Sequence, residues 1–430
     1  MLTAIILVFL LGYAAIVFEE RIKINKTASA LVTGVLCWTI YMVSKNDVKL
    51  VENQLIHNFS ETAQILFFLL GAMTIVEIMD AHDAFDILVS KIKTRKKTTL
   101  LWIIGFVTFF LSAILDNLTT AIVMVSFLRK LINDREDRLF MASIVIIAAN
   151  AGGAFSPIGD VTTTMLWIGG QVTTVKLMEY VFLPSLVCLV APLAYVSMKM
   201  HGTFEPITDP SVAESKLPVS DHHKRIVFFL GIGALIFVPI FKTLTHLPPF
   251  MGMLLSLGVM WIVTEIMHSG KDDEDKHPFT AMRALQKIDT PSILFFSGIL
   301  LAVGVLQTSG ILKGIAEWFS QTIGNESVIA IVIGLVSAIV DNVPLVAASM
   351  GMYSLDQFPQ DHAFWHFIAY CAGTGGSILI IGSAAGVAAM GMEKIEFFWY
   401  VKRITFIAAL GYFSGCAVFI LERFIFLNFF

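Results

Sequence analysis

Long apolar runs without a charged side chain recur from one end of this chain to the other. Many reach about 17–20 residues, and an α-helix of about 20 residues crosses a hydrocarbon core about 30 Å thick. Only 14% of the residues are charged, against roughly 25% in ordinary soluble domains. The chain is therefore predicted to be an all-α integral membrane protein. Its net charge of −4 is spread over loops, which excludes a nucleic-acid-binding patch.

We predict about ten membrane-spanning helices from these runs, at residues 2–18, 28–45, 63–79, 139–170, 177–198, 226–243, 248–267, 290–308, 363–392 and 404–427. The first run lacks the basic n-region and the small-residue cleavage site of a signal peptide, so we expect it to be retained. Four cysteines lie inside apolar runs and are expected to pack there as small hydrophobes. A bacterial cytoplasmic membrane is the simplest location.

Two further apolar stretches, 99–128 and 327–353, are too short for two spans and rather long for one. Their centres are Asp116-Asn117 and Asp341-Asn342, where a charge facing lipid would cost several kcal/mol. Basic clusters flank the first stretch on both sides, and short basic loops belong on the cytoplasmic side. A re-entrant hairpin returns to the side it left and keeps both clusters there. We therefore predict two re-entrant hairpins whose tips line a polar site.

Loop charge also predicts the orientation of the whole chain. With the N-terminus and the C-terminus outside, all the strongly basic loops fall on the inner side, namely 19–27, 80–98, 129–138, 199–225 and 269–289. The loop 45–62, which has few basic residues, then falls outside.

Three short motifs occur twice, in the same order and at nearly the same offset. Ile65–Phe68 recurs at 293–296, Ser112–Asn117 at 337–342, and Gly152-Gly153 at 375–376. The span 63–79 runs inward, whereas its counterpart runs outward. The pattern predicts inverted-topology repeats, an architecture of secondary transporters with the site at the midplane.

The predicted organisation has four parts. Residues 1–60 form N-terminal scaffold helices, and 61–200 form the first repeat with hairpin 99–128 and broken helix 139–170. Residues 201–270 form a linker and scaffold helices. Residues 271–430 form the second repeat, with hairpin 327–353 and broken helix 363–392, and the last helix.

Each predicted broken helix is interrupted by glycines near its middle, within Asn150–Thr164 and Gly373–Ser383. Unwound backbone at that depth frees carbonyl groups that can coordinate a cation. Three acids lie at the tips and breaks, Asp116, Asp160 and Asp341, and the same segments contain no lysine or arginine. Carboxylate, carbonyl and hydroxyl oxygens suit a hard cation. Na⁺ and Li⁺ fit, and H⁺ competes for the same oxygens.

The residues alone leave other roles open. An intramembrane Asp can cap a half-helix, and Asn117 and Asn342 can hydrogen-bond across the tips. Thr162 and Thr163 can bond their own helix backbone. We expect the ion near Asp116 and Asp160, with Asp341 completing or gating the site.

The motifs LDNLTTAIVM and NAGGAFSPIGDVTTTMLW resemble those of NhaD-type Na⁺/H⁺ antiporters of the ion transporter superfamily, over essentially the whole chain. The resemblance implies exchange of cytoplasmic Na⁺ or Li⁺ for external H⁺, most useful at alkaline pH, by a homodimer. It also implies a set of site residues: Asp116, Asn117, Asn150, Asp160, Thr162, Thr163, Ser337, Asn342 and Ser377.

A secondary antiporter without a cofactor is therefore our main hypothesis, with Na⁺, Li⁺ and H⁺ as its ions. The alternative on the same fold is an arsenite or small-anion/dicarboxylate permease, although dicarboxylate carriers of the superfamily have Ser-Asn-Thr at the hairpin tips. A passive cation channel and a membrane enzyme are less well supported. No Ser/His/Asp set, metal-ligand cluster or phosphate-binding loop falls at membrane depth.

Overall fold

A computed structural model describes residues 2–45, 47–89, 92, 94–204, 219–270 and 277–429 of the chain. The regular secondary structure in these ranges is helical, apart from an isolated bridge between Lys96 and Thr203. Nine of the described helices are long and apolar enough to cross a membrane. The prediction of an all-α integral membrane protein is confirmed.

Twelve α-helices precede residue 270 in the described ranges. They are α1 (Leu2–Val17), α2 (Glu19–Ile22), α3 (Lys26–Lys45), α4 (Val48–Ala81), α5 (Asp86–Val89), α6 (Lys97–Leu115), α7 (Asn117–Leu131), α8 (Arg135–Ala154), α9 (Val161–Ile168), α10 (Thr174–Ser197), α11 (Asp221–Thr245) and α12 (Pro249–Met267).

Nine more follow in the second half, with short 3-10 turns at His277–Phe279 and Ile380–Gly382. They are α13 (Ala281–Lys287), α14 (Thr290–Thr308), α15 (Ile311–Thr322), α16 (Glu326–Val336), α17 (Asn342–Met352), α18 (Ala363–Gly375), α19 (Ala384–Glu393), α20 (Phe397–Arg403) and α21 (Thr405–Phe429).

The helix α4 departs from the predicted layout. It is continuous over 34 residues, about 50 Å at 1.5 Å per residue, so most of the stretch 45–62 is helix and not loop. Asp47 caps its start by accepting a hydrogen bond from the Leu50 amide at 3.1 Å. The predicted boundary between residues 60 and 61 falls inside this helix.

The first predicted hairpin is formed by α6 and α7, which meet at Asp116. Its two ends lie together, because Lys97 pairs with Asp137 while Arg129 shares the Glu393 carboxylate with Arg138. The stretch therefore leaves one end of the molecule and returns to it, as the flanking basic clusters indicate.

The second hairpin is formed by α16 and α17, joined by the turn 337–341. Glu326 at its start interacts electrostatically with Tyr353 just past its end. Glu326 also lies 3.6 Å from Arg423 of the last helix.

Both predicted broken helices are interrupted where the glycines lie. The first consists of α8 and α9, separated by residues 155–160, and the second of α18 and α19, separated by residues 376–383. Each hairpin's first arm contacts the adjoining broken helix at a glycine. A Cβ on Gly152 would lie 2.0 Å from the Phe109 carbonyl oxygen, and one on Gly375 would lie 2.0 Å from that of Gly334. Only glycine permits this backbone contact.

The two halves also pack across each other in matching pairs. The second hairpin arm α7 packs on α19 of the other repeat, and α17 packs on α9 in the same way. The first halves of the broken helices, α8 and α18, contact each other between them. This arrangement brings both hairpin tips and both breaks to one place.

Contacts between loops agree with the predicted grouping of chain segments into two sides. Lys224 pairs with Asp86, both in loops predicted inside. Lys287, also in such a loop, pairs with Glu77 near the inner end of the predicted span 63–79. Asp361 accepts hydrogen bonds from the amide and hydroxyl of Thr173, at 2.7 and 2.9 Å, and both residues are predicted outside. Which of the two sides faces the cytoplasm stays a prediction.

Candidate ion site

Asp160 lies at the centre of the site and begins the helix α9. Its side chain is 2% exposed. One carboxylate oxygen, Oδ1, accepts hydrogen bonds from the amide and the hydroxyl of Thr162, both at 2.8 Å. The Thr163 and Thr164 hydroxyls instead bond the backbone carbonyls of Asp160 and Pro157, each at 2.9 Å. These contacts hold the break rigidly around a buried carboxylate.

Two amides, one from each hairpin tip, point at the other oxygen of Asp160. The Nδ2 atom of Asn117 donates to Oδ2 at 2.6 Å, and that of Asn342 donates at 3.4 Å. Both asparagines are 4% exposed and are the first residues of α7 and α17. Asp160 therefore receives hydrogen bonds from both repeats.

Asn150 extends the network across the repeats. Its Oδ1 atom accepts a second bond from Asn117 at 3.0 Å, while its Nδ2 donates to the hydroxyls of Ser377 and Ser383, both at 2.9 Å. All four of these side chains are buried, because α8 packs against both α18 and α19. The structure thus brings together six of the predicted site residues, Asp160, Thr162, Asn117, Asn342, Asn150 and Ser377, and one further residue, Ser383.

The other two predicted acids are helix caps in this structure. Asp116 accepts from the amide and the hydroxyl of Thr119, at 2.8 and 2.7 Å, and Asp341 accepts from the Val343 amide at 3.2 Å. Both side chains are half-buried, and both interact electrostatically with Asp160. Asp116 has a φ of 112°, a conformation that strongly favours glycine and is typical of functional sites.

Two serines outside the network connect the hairpin tips to the broken helices. The Ser337 hydroxyl donates to the Ala372 carbonyl at 2.9 Å, and its repeat counterpart Ser112 donates to that of Ala149 at 2.6 Å. The resemblance predicts Ser337 but not Ser112, which the repeated Ser-Ala-Ile motif indicates. Ser383 follows Gly375 at the same spacing as Asp160 follows Gly152, and this spacing indicates Ser383.

A cavity of about 440 Å³ leads toward this site from the end that carries α5 and α13. It reaches Thr119, the residue that binds Asp116. Five carboxylates line it, against two lysines: Glu77, Asp80, Asp83, Asp86 and Asp289, with Lys130 and Lys287. A wall of this composition attracts cations.

A second cavity, of about 260 Å³, lies beside the middle of the long helix α4, nearer its start than the acid-lined cavity. Its lining includes Asn58, Glu61 and Gln64 from the first half of α4, and Met165 from α9. Asp160 lines neither cavity. It bonds Asn117, two residues before Thr119 of the first cavity, and it caps α9, which carries Met165 of the second.

Comparison with known proteins agrees with this architecture. The family model described as "Citrate transporter" matches residues 13–367. Sodium/proton antiporter 1 of Arabidopsis thaliana is 51% identical over 97% of this chain and 72% of its own length. Sodium/proton antiporter 2 of the same plant is 50% identical over 95% of this chain and 97% of its own length.

A bacterial relative is also similar over most of both chains. The Na(+)/H(+) antiporter NhaD of Vibrio cholerae serotype O1 is 33% identical over 95% of this chain and 89% of its own length. The resemblance that the two motifs indicate is thereby confirmed. The chain belongs to the citrate transporter family of the ion transporter superfamily, together with plant sodium/proton antiporters and bacterial NhaD antiporters.

Proposed function

We propose that this chain is a secondary transporter that exchanges Na⁺ or Li⁺ for H⁺ across its membrane. One observation carries the proposal. The buried Asp160 carboxylate receives hydrogen bonds from an amide N–H, a hydroxyl and two asparagines, all of them neutral. A buried charge without a compensating partner is costly. Either a metal cation or a proton therefore has to accompany Asp160, and both compete for the same oxygens.

This competition produces exchange. When Na⁺ binds, the carboxylate is deprotonated, and when a proton binds, Na⁺ leaves. If only these two loaded states reorient between the two sides, each Na⁺ carried in one direction is matched by protons carried in the other. Asp116 and Asp341 lie within electrostatic reach of Asp160, so their charges add to the attraction for a cation.

The asparagines give the site the oxygens that a cation needs. Asn117 and Asn342 direct their Nδ2 atoms at Asp160, and rotation of each amide by about half a turn would replace that donor with Oδ1. With Asp160 and the Thr162 hydroxyl, these amides form an all-oxygen set of the kind that hard cations prefer.

The family name raises an anion as the alternative substrate. The segments that form the hairpin tips and breaks contain no lysine or arginine, and a multiply charged carboxylate beside Asp160 would add like charge to a buried site. We therefore do not propose citrate or another dicarboxylate.

The acid-lined cavity is proposed as the cytoplasmic entrance for Na⁺. It lies among the segments that carry the basic loops, which favour the cytoplasmic side. The hairpins and broken helices would then move against the remaining helices to open the second cavity to the outside.

We further propose that the protein is a homodimer with both termini outside. The named relatives come from a plant and from a bacterium, so a bacterial cytoplasmic membrane stays a prediction.

Substitution of Asp160 tests the exchange. In everted vesicles with a pH-sensitive dye, Na⁺ and Li⁺, but not K⁺, should dissipate the ΔpH for the wild type. Asp160→Asn keeps the size of the side chain and should abolish the signal. Asp361→Asn, at an acid that lies in a loop between Thr173 and His366, should retain it. Full exchange by Asp160→Asn would refute the proposal, as would labelled citrate uptake without cation-dependent dequenching.

A further inference from the structure

An open cavity of about 690 Å³ lies well apart from the ion site, beside the short helix α20. Its walls come from the first residues of α6 and α8, the last residues of α10, and the junction of α20 with α21. Four lysine and arginine side chains line it, against two acids: Lys97, Lys199, Lys402 and Arg403, with Glu136 and Asp137. His201 also lines the cavity.

The position of the cavity along the helices places it at the edge of the bilayer. The helix α6 begins at Lys97, α8 begins at Arg135, α10 ends at Ser197 and α21 begins at Thr405. All four are long and apolar enough to span a membrane. The cavity lies where these four membrane-embedded helices, one of them a hairpin arm and one of them half of a broken helix, begin or end. That position is at the depth of the lipid headgroups.

Both acids in the wall already have partners. Asp137 pairs with Lys97, and Glu136 accepts a hydrogen bond from the Trp399 indole at 3.2 Å. Lys402 and Arg403 are exposed, and no acid among the described residues forms an ion pair with either of them. The wall therefore presents two neighbouring positive charges that are available to an anion.

Aromatic rings accompany these charges. Tyr195 and Trp399 line the cavity, and Phe406 of the first turn of α21 is 64% exposed. Tyr195 contacts Phe406 edge-on, with 5.7 Å between the ring centroids. Basic residues at the headgroup level above exposed aromatic rings match the two ends of a phospholipid.

We propose that this cavity binds the phosphate headgroup of an anionic phospholipid. Lys402 and Arg403 hold the phosphate, Lys199 adds positive charge, and the acyl chains run along the exposed face of α21 past Phe406. Basic pockets between membrane helices at a headgroup surface are a recurring form of lipid recognition.

The bound headgroup would act on the element that supports the second break. Tyr400, on α20, is buried, and its hydroxyl donates to the Ser377 carbonyl at 2.8 Å. The Thr405 hydroxyl donates to the Ile378 carbonyl at the same distance. A lipid that steadies α20 thereby steadies Ser377, whose hydroxyl binds Asn150. This coupling, unlike the binding itself, rests on the proposed function.

Native mass spectrometry of the full chain in detergent tests the binding without any transport assay. Phosphatidylglycerol, phosphatidylcholine and inorganic phosphate would be titrated separately. The wild type should bind phosphatidylglycerol at least tenfold more tightly than phosphatidylcholine, since each basic residue near a headgroup contributes about 1 kcal/mol. The variant Lys402→Gln/Arg403→Gln should lose this preference, and Lys402→Arg/Arg403→Lys should keep it.

A matched control removes two charges from the segment between α1 and α3, at Arg21 in α2 and at Lys23 directly after it. Arg21→Gln/Lys23→Asn also removes two positive charges, and Asn tolerates the left-handed backbone of Lys23. It should bind phosphatidylglycerol as the wild type does. Equal affinity of the wild type for both lipids would overturn the proposal, as would an equal loss in the control. Inorganic phosphate that binds as tightly as phosphatidylglycerol and displaces it would show a site for a free anion instead.

Discussion

Asp160 and Ser383 occupy equivalent places in the two repeats but differ in chemistry. Both begin the second half of a broken helix, with nearly the same backbone angles: φ −148° and ψ 146° for Asp160, φ −145° and ψ 154° for Ser383. Each side chain also accepts an amide hydrogen bond from its own helix. One repeat therefore supplies a carboxylate and the other a hydroxyl. The Asp160 carboxylate is surrounded by neutral hydrogen-bonding side chains from both repeats.

At this scale we predict that Asn342→Ala weakens Na⁺ binding while the chain still folds. The substitution removes one of the two amides that face Asp160 Oδ2. A hydrogen bond to a charged group contributes about 1.5–3 kcal/mol. The Na⁺ concentration for half-maximal exchange should therefore rise by roughly tenfold or more. The measurement is the Na⁺ dependence of dequenching in everted vesicles.

Ser337→Ala provides the control on the same hairpin tip. Its hydroxyl bonds the Ala372 carbonyl and not the Asp160 network, so thermal stability should fall slightly while the Na⁺ dependence stays unchanged. An unaltered Na⁺ dependence in Asn342→Ala would show that this amide does not contribute to the ion site.

Between the elements, a buried carboxylate connects the two repeats at one end of the molecule. The Glu393 side chain is 2% exposed and accepts from Arg129 at 2.6 Å and from Arg138 at 2.7 Å. Arg129 ends the first hairpin, Arg138 begins the first broken helix, and Glu393 ends the second broken helix. The three elements are thereby held together close to where the chain emerges from its spans.

We predict that Glu393→Gln lowers the free energy of unfolding by roughly 1–3 kcal/mol. Loss of one partner from a fully buried pair costs about 3–5 kcal/mol, but Arg129 and Arg138 are 44% and 22% exposed and recover part of this through hydration. Denaturation of the purified protein in detergent, followed by intrinsic fluorescence, measures the change.

The double variant Glu393→Gln/Arg138→Gln measures how much the ion pair between Glu393 and Arg138 itself contributes to stability, apart from the effect of losing either side chain. Its destabilisation should be smaller than the sum of the two single effects, because the interaction is lost only once. Strict additivity would mean that Glu393 and Arg138 do not stabilise each other.

At the scale of the whole molecule, one acid-lined cavity and one smaller cavity approach the site from opposite ends. If Na⁺ and H⁺ compete for Asp160, protons on the cytoplasmic side should raise the Na⁺ concentration needed for half-maximal exchange. The maximal rate at saturating Na⁺ should change much less. Initial rates at several pH values and Na⁺ concentrations distinguish this from a pH effect on the maximal rate alone, which would argue against a shared site.

Orientation is testable with two lysines at opposite predicted sides. Lys394→Cys lies beside Glu393 and should react with an impermeant maleimide in everted vesicles only, whereas Lys176→Cys should react in right-side-out cells only. All four native cysteines are buried and give a low background. The reversed pattern would place both termini in the cytoplasm.

Much of the fold could be predicted because its determinants are local in the sequence. The length of an apolar run decides whether a helix can cross a bilayer, and the glycines of both breaks coincide with the interruptions of α8/α9 and α18/α19. The failure at residues 45–62 has the same origin. Polar side chains there indicate contact with water, but they do not prevent α4 from continuing as a helix.

The sequence by itself determined the all-α membrane class, the hairpin tips, the breaks and the acids that belong to them. Only the tertiary structure decided the partners: Asn117 and Asn342 with Asp160, Asn150 with Ser377 and Ser383, and Asp116 with its own helix. Asn150 and Ser377 are 227 positions apart in the chain, and their contact depends on how α8 packs against α18. The choice of a hydrogen-bond partner is set by distances of a few tenths of an ångström, which packing between distant helices fixes and local sequence does not.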